Sequence, residues 1–283
     1  MLFELDSLSW PFLAALFGLC LGSLLNVVIH RLPLMLKQQD KQYLIHYASQ
    51  LEPAVIIDNG AEPARFNLFL PGSHCPHCKI PIAFYDNIPL VSWIMLRRRC
   101  RHCQSLIPWR YPMVEMGMML TALSLAGYYP PGSHWLLLLT FSALLITLAI
   151  IDFDCQLLPD SLTYSLLWLG LIWHCLHDRY FLPDAIIGAI AGYLTLWLIY
   201  WGGKVLTTRE GLGYGDFKLL AALGAWFGWQ GLPEILLIAA SATLLALLPP
   251  SRNTQQMWLR PLPFGPGLAV AGLWMMTSNL IDF

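Results

Sequence analysis

The chain has 283 residues, of which 57% are hydrophobic and only 12% charged, and its mean hydropathy is +0.58. Soluble domains are about 45–50% apolar and about 25% charged, so composition excludes an ordinary globular domain. A net charge of −1 gives no electrostatic case for nucleic acid as a partner.

Apolar runs of roughly 20 residues, enough to cross a bilayer as helix, recur along nearly the whole chain. The hydropathy pattern predicts about eight spans, at 9–30, 113–129, 134–152, 161–177, 183–205, 216–230, 232–250 and 264–281. With the N-terminus outside, the inward segments 31–112, 153–160, 206–215 and 251–263, with their flanks, hold fifteen of the sixteen Lys and Arg residues; Arg179 is the exception. The positive-inside rule therefore fixes the orientation. No basic residue precedes the first apolar run, which carries Glu4 and Asp6 instead, so it reads as a retained helix and not a cleaved signal peptide. The expected architecture is an all-α polytopic membrane protein with a small cytosolic domain in its first loop. Its parts are a first transmembrane helix over 1–30, a loop domain over 31–112 and a membrane-embedded core over 113–283.

The first helix ends in Gly22-Ser23-Leu24-Leu25-Asn26, where small residues and an intramembrane amide suit close helix contact and an interhelical hydrogen bond. His30 reads as a solvated interface residue. Residues 34–66 are polar and mixed, compatible with a short helix around 34–50. Two C-x-x-C turns follow, Cys75/Cys78 and Cys100/Cys103, with 21 residues between them. Two such turns match a four-thiolate tetrahedral zinc site, each supplying two sulfurs. The alternatives are unrelated buried thiols or two redox pairs, and the flanking His74, His77 and His102 could substitute as ligands. A closed four-sulfur site is structural, and it would hold together a loop with little apolar content. The Arg97-Arg98-Arg99 block and Arg101 lie beside a span, where attraction to anionic lipid explains them better than nucleic acid does. Glu115 opens the second span, where an acid suits the helix N-terminus.

The third span carries no charge until Asp152 and Asp154 at its cytosolic end. Asp160 or Ser161 is a natural N-cap for the next helix. Cys20, Cys155 and Cys175 read as buried small hydrophobes. His174 and His177 lie at i, i+3 without a third ligand nearby. Gly211, Gly213 and Gly215 lead to Asp216 at the head of the sixth span; glycines there permit positive φ and close backbone approach. Asp216 alone could be an N-cap. A phosphate loop is excluded, because the P-loop lysine pattern is missing and an acid points where phosphate would sit. A carboxylate at the bilayer centre costs roughly 2.5–3.5 kcal/mol on the lenient insertion scale. Asp152 and Asp216, at one membrane face, therefore read as a shared catalytic site. Lys218 is close enough in sequence to influence it.

At these residues the chain resembles the bacterial type IV prepilin peptidase family. The resemblance rests on GSLLNVVIHRLP, both C-x-x-C turns, DNIPLVSW, RYPMVE, the D-x-D-x-x-L-L-P-D run, GLGYGDFKLLAALGAW and PFGPG. It implies catalytic Asp152 and Asp216, the latter in a GxGD motif similar to that of presenilin-like intramembrane proteases. It also implies zinc on Cys75, Cys78, Cys100 and Cys103. The implied activities are removal of the short basic leader of prepilins and pseudopilins and N-methylation of the new N-terminus from S-adenosylmethionine. The site residues then include Gly213, Gly215, Asp160 and Lys218 in supporting roles, while the methyl-donor site is not assigned. The implied location is the bacterial inner membrane, with prepilins and lipid as partners. One departure stands out: family members usually carry glycine where this chain has Arg98, and that glycine is tied to methyl transfer. The rival from another class is a transporter using the two aspartates as a proton or cation site. It predicts repeated halves, and the sequence shows none. A zinc-bearing membrane scaffold without chemistry leaves the glycine-flanked acid unexplained.

Overall fold

The computed structural model describes residues 9–51, 66–207, 213–247 and 263–278. Among these the secondary structure is helical, with no strand ladder and only two isolated β-bridges. The helices are α1 (Ser9–Leu51), α2 (Val91–Met95), α3 (Arg110–Tyr128), α4 (Ser133–Cys155), α5 (Asp160–His177), α6 (Leu182–Thr207), α7 (Tyr214–Leu247) and α8 (Gly265–Ser278). A 3₁₀ turn covers Phe84–Asn87. Four of them, α1, α4, α6 and α7, contain stretches long and apolar enough to cross a membrane by themselves, and the protein is multi-pass. The chain forms two compact units, Met1–Trp135 and Leu136–Phe283.

In the first unit α1 and α3 pair antiparallel. The pairing depends on Gly18 and Gly22, four residues apart on one helix face. A Cβ on Gly18 would lie 2.6 Å from the Met118 carbonyl, and one on Gly22 would lie 2.6 Å from Glu115 Cα. Apolar lipid gives helices little reason to associate, so backbone-close packing of small residues supplies the attraction. Asn26 makes the interhelical bond expected of it, donating through Nδ2 to the Tyr111 carbonyl at 3.1 Å. At the other end Trp10 Nε1 donates to the Tyr129 carbonyl at 3.1 Å. The structure differs from expectation beyond residue 30. Helix α1 runs through Pro33 to Leu51 without a separate second helix. Proline removes one ladder hydrogen bond, and the following Leu34-Met35-Leu36-Lys37-Gln38-Gln39 are all good helix formers.

In the second unit α7 packs against α5, α6 and α8. Its Gly228, at φ 69 and ψ 176, breaks the helix inside the expected span 216–230, two residues before its end. Trp226, just before the break, is fully buried. Its indole N–H donates to the Leu166 carbonyl at 2.9 Å, and its ring lies 4.5 Å from that of Phe141. His174 Nε2 is paired with the Trp226 carbonyl at 3.2 Å, so this histidine serves a core hydrogen bond and not a metal. Cys20 and Cys175 are exposed and Cys155 is half-buried, against the expectation of burial. A thiol behaves as a small hydrophobe, and on a helix facing acyl chains it needs no protein cover.

Candidate active site and metal centre

Asp152 lies one turn from the end of α4, behind the fully buried Ile151, and is itself buried. The helix stops four residues later: Gln156 adopts φ 53 and its N–H donates to the Asp152 carbonyl at 2.8 Å, a left-handed cap. The Asp152 side chain does not face open water. Its Oδ2 accepts the N–H of Gly265, the first residue of α8, at 3.0 Å. A Cβ at position 265 would lie 2.6 Å from that oxygen and 3.0 Å from Cγ, so only glycine lets the helix start so close to the acid. The Pro-Phe-Gly-Pro-Gly stretch thus positions Asp152.

Asp216 is also buried and is the third residue of α7. It is not the N-cap. Its Oδ2 reaches back to accept the N–H of Gly213 at 3.2 Å, as the third helical residue does in a capping box. The glycines act by closeness and not by unusual dihedrals, since neither Gly213 nor Gly215 has positive φ. A Cβ on Gly215 would lie 2.7 Å from Leu158 Cβ, whereas one on Gly213 would make an ordinary 3.5 Å contact with the Asp216 carboxylate. Gly211 lies outside the described residues. The Leu158 contact ties the loop after Asp152 to the turn before Asp216. Tyr214 is held by rings of Tyr200 at 5.4 Å and Phe217 at 5.6 Å. The two carboxylates come within electrostatic range of each other.

Asp160 is likewise not a cap: Pro159 holds that position, and Asp160 is the first residue of α5. Its carboxylate instead accepts from Lys218 Nζ at 2.6 Å, and Lys218 also lies over the Tyr164 ring at 5.5 Å. The pair is part-exposed, so it clamps the start of α5 to that of α7 more than it stabilises the fold.

In the first unit the four cysteines converge, with their sulfurs all within 4.8 Å of one another. Cys75 Sγ and Cys103 Sγ are 3.7 Å apart. Tetrahedral zinc with bonds near 2.3 Å separates its sulfurs by about 3.8 Å, so the donor set fits that ion. The two turns are copies of one another. Cys75 N–H bonds the Ile80 carbonyl and Lys79 N–H bonds the Cys75 carbonyl; Cys100 to Ser105 and Gln104 to Cys100 repeat the pattern. Lys79 and Gln104 have matching positive φ of 61 and 59, and the bridges His74–Pro81 and Arg99–Leu106 close each turn. The N–H groups of Cys78 and then His77 lower the Cys75 thiol to about 6, against burial. Cys78 accepts the Ile80 N–H, which lowers it, yet burial and the neighbouring sulfurs push it up to about 11. Four thiolates this close repel unless a cation sits among them. His74 turns away to the Gly72 carbonyl at 2.9 Å, leaving the sulfurs as the donor set.

Around this centre the structure shows contacts that sequence reading missed. The buried Arg31 guanidinium donates to the carbonyls of Asn67 and Leu68 at 3.1 Å and Pro71 at 2.6 Å, fastening the module to α1. Buried Glu115 is not a helix-terminal charge: its Oε2 accepts the Leu90 N–H at 2.8 Å. Arg101 grips Asp86 through two bonds of 2.6 and 2.8 Å, which holds that carboxyl below its ordinary range. Arg98 has φ 63 and lies over the rings of Trp109 at 4.5 Å and Trp93 at 5.8 Å. Of the basic block, Arg98 and Arg101 are therefore engaged within the module.

These features define a multi-pass membrane protein with a buried aspartate pair in one unit and a four-thiolate module in the other. Residues 16–129 match the Bacterial Peptidase A24 N-terminal domain and residues 139–248 the Type IV leader peptidase family. A prepilin leader peptidase/N-methyltransferase of Aeromonas hydrophila is 49% identical over 265 residues, covering 92% of this chain and 88% of the relative. Relatives of the same description from Pectobacterium carotovorum subsp. carotovorum and Stutzerimonas stutzeri are 47% and 43% identical, covering 93% and 98% of this chain and 91% and 96% of their own lengths. No solved structure is significantly similar to the chain. The chain belongs to the type IV leader peptidase family.

Proposed function

We infer that this protein is a prepilin leader peptidase and N-methyltransferase of the bacterial inner membrane, acting on prepilins and pseudopilins. The observation that carries the reading is the burial of Asp152 and Asp216, from two different helices, within electrostatic range of each other. Two carboxylates so placed cannot both ionise cheaply and share one proton. The ionised member takes a proton from water as general base while the protonated member hydrogen-bonds the scissile carbonyl. The roles exchange as the tetrahedral intermediate collapses. Gly265 and Gly213 orient the acids through backbone N–H groups, while Gly215 and the Asp160–Lys218 pair hold the two loops in register. A transporter finds no support in the family or its relatives.

The distribution of Lys and Arg supports an outside N-terminus and eight spans, with the aspartates and the module at the cytosolic face. Functionally the chain divides into the first membrane helix (1–30), the cytosolic loop domain (31–112) and the protease core (113–283). Zinc on Cys75, Cys78, Cys100 and Cys103 would fix the two turns of the loop domain and leave no open coordination position for substrate. S-adenosylmethionine would supply the transferred methyl group. The loop domain contains a cavity of about 240 Å³ whose lining includes Trp93, Tyr111 and Glu115 together with the Asp86–Arg101 pair, aromatic and polar chemistry suited to an adenine ring. The buried indole N–H of Trp93 has no acceptor among the described residues, as a ligand-binding wall would leave it.

Purified protein incubated with a prepilin decides the matter, with leader loss and the mass of the mature N-terminus as readouts. Wild type removes the leader and adds one methyl group, whereas Asp152→Asn and Asp216→Asn leave the prepilin intact. Normal processing by both variants overturns the protease assignment.

A further inference from the structure

Helix α2 has an apolar face that no described residue of its own unit covers. Ile88, Val91, Ile94 and Met95 are 47%, 48%, 67% and 77% exposed, and the 91, 94, 95 spacing puts the last three on one helical face. The opposite face is engaged: Ser92 is buried and its hydroxyl donates to the Tyr85 carbonyl at 3.0 Å, and Trp93 packs on Trp109 with ring centroids 4.5 Å apart. Single exposed apolar residues are ordinary on soluble surfaces, but a one-sided cluster is not.

The depth of this helix says what covers the face. Leu90, immediately before α2, bonds Glu115 of α3, and Glu115 touches Gly22 of α1. At 1.5 Å per residue, Gly22 lies about 13 Å along α1 from Arg31, and Glu115 about 7 Å along α3 from Arg110. The Glu115 side chain leans back along part of that distance, so the Leu90 backbone is tied to the arginine-bearing end of the helix pair, where its apolar part begins. Non-helical backbone bordering apolar helix persists only where protein satisfies its polar groups. The Glu115 carboxylate does so, which explains a buried acid that the peptidase chemistry leaves unused. Where α2 ends, Arg97 and Arg98 take left-handed conformations and turn the chain back, with Arg97 and Arg99 exposed.

We propose that α2 is a re-entrant interfacial element whose Ile88, Val91, Ile94 and Met95 face lies among the lipid acyl chains, with Arg97 and Arg99 at the anionic headgroups. An apolar helix face followed by cations has the chemistry of an acidic bilayer surface. The proposal needs the protein to span the membrane and is independent of which reaction it performs.

The test uses full-length protein in nanodiscs of phosphatidylcholine and phosphatidylglycerol, carrying an environment-sensitive fluorescent amino acid introduced by codon suppression at position 94 or 95. Position 41, about 15 Å beyond Arg31 on α1, is the reference. Labelled preparations are taken forward only when their elution profile and unfolding temperature match those of unlabelled protein. Lipids brominated near the top of the acyl chain should remove roughly half of the emission at 94 and 95, given insertion of about 5–10 Å, and little at 41. Quenching at 94 and 95 no greater than at 41 overturns the proposal. So does emission that escapes bromine but shifts when a prepilin is added, because the face would then belong to the substrate helix.

Discussion

Gly265→Ala tests whether Asp152 is held by geometry or merely by proximity. The new Cβ would stand 2.6 Å from Asp152 Oδ2, whereas ordinary contact begins near 3.4 Å, so the carboxylate must retreat by 3.4 − 2.6 = 0.8 Å. A misplacement of about 1 Å at a reacting group costs about 10²-fold, equivalent to about 2.7 kcal/mol of barrier. The fold tolerates the change better. Gly265 is not a positive-φ position, and alanine in a helix regains up to about 1 kcal/mol against an overpacking cost of about 1–3 kcal/mol. Gly267→Ala provides the contrast. Its Cβ would meet the Ala239 carbonyl at 2.6 Å, and backbone cannot swing aside as a carboxylate can. The expected pattern is that Gly265→Ala loses about two decades of kcat/KM on a prepilin with its unfolding temperature nearly kept. Gly267→Ala should lose thermal stability, with activity falling only as the folded fraction does. A Gly265→Ala protein that cleaves like the wild type would refute the positioning argument.

Arg98 holds a left-handed conformation that costs a non-glycine residue about 1–2 kcal/mol, offset by cation–π contacts worth about 0.5–2 kcal/mol. Arg98→Gly should therefore leave the module's unfolding midpoint close to wild type, while Arg98→Ala, which keeps the strain and loses the contacts, should lower it. With zinc on the four sulfurs, chelation should lower the module's unfolding midpoint and weaken the near-UV signal from Trp93 and Trp109, and re-addition of zinc should restore both. Asp86 is lowered by its bonds to Arg101, so its contribution to module stability is present above its ordinary value of 3.8 and is lost as pH falls through the lower folded value. Asp86→Asn should flatten that acid limb in a pH series of unfolding midpoints. Glu115→Gln keeps an acceptor for the Leu90 N–H and should fold normally, whereas Glu115→Ala strands a buried donor at a cost of about 1–3 kcal/mol.

The helical, membrane-spanning character and the four-cysteine cluster were legible, as was the burial of the two aspartates, because each is written in local pattern. Apolar runs announce helices, paired C-x-x-C turns announce converging sulfurs, and an acid at the end of an apolar run announces a reason to be there. What was not legible lies between distant residues. The N–H that orients Asp152 comes from Gly265, 113 positions away, and nothing local in Pro-Phe-Gly-Pro-Gly names that partner. Glu115 looked like a helix-terminal charge because its actual partner, the Leu90 amide, is in another segment. The left-handed turn at Arg97 and Arg98 is hidden because arginine carries no conformational signal, whereas glycine there would have given one. Asp160 reads as a cap, and Asp216 taken alone could be one, because both stand at helix starts. Only coordinates show that one reaches a lysine and the other reaches back a turn.

Three buried acids, Glu115, Asp152 and Asp216, each accept a backbone N–H from outside their own helix interior, so a satisfied hydrogen bond does not separate structural from chemical roles. Company separates them. Glu115 faces a hydroxyl, Ser23, and an amide, groups that ask it only to accept. Asp152 and Asp216 lie within electrostatic range of each other, and two buried carboxylates so placed favour sharing a proton over ionising together. An amide side chain reproduces the first role and not the second, since it accepts a hydrogen bond but cannot take up or release a proton at neutral pH. The glutamine variant of Glu115 should therefore keep both fold and cleavage. The asparagine variants of the two aspartates should keep the fold alone.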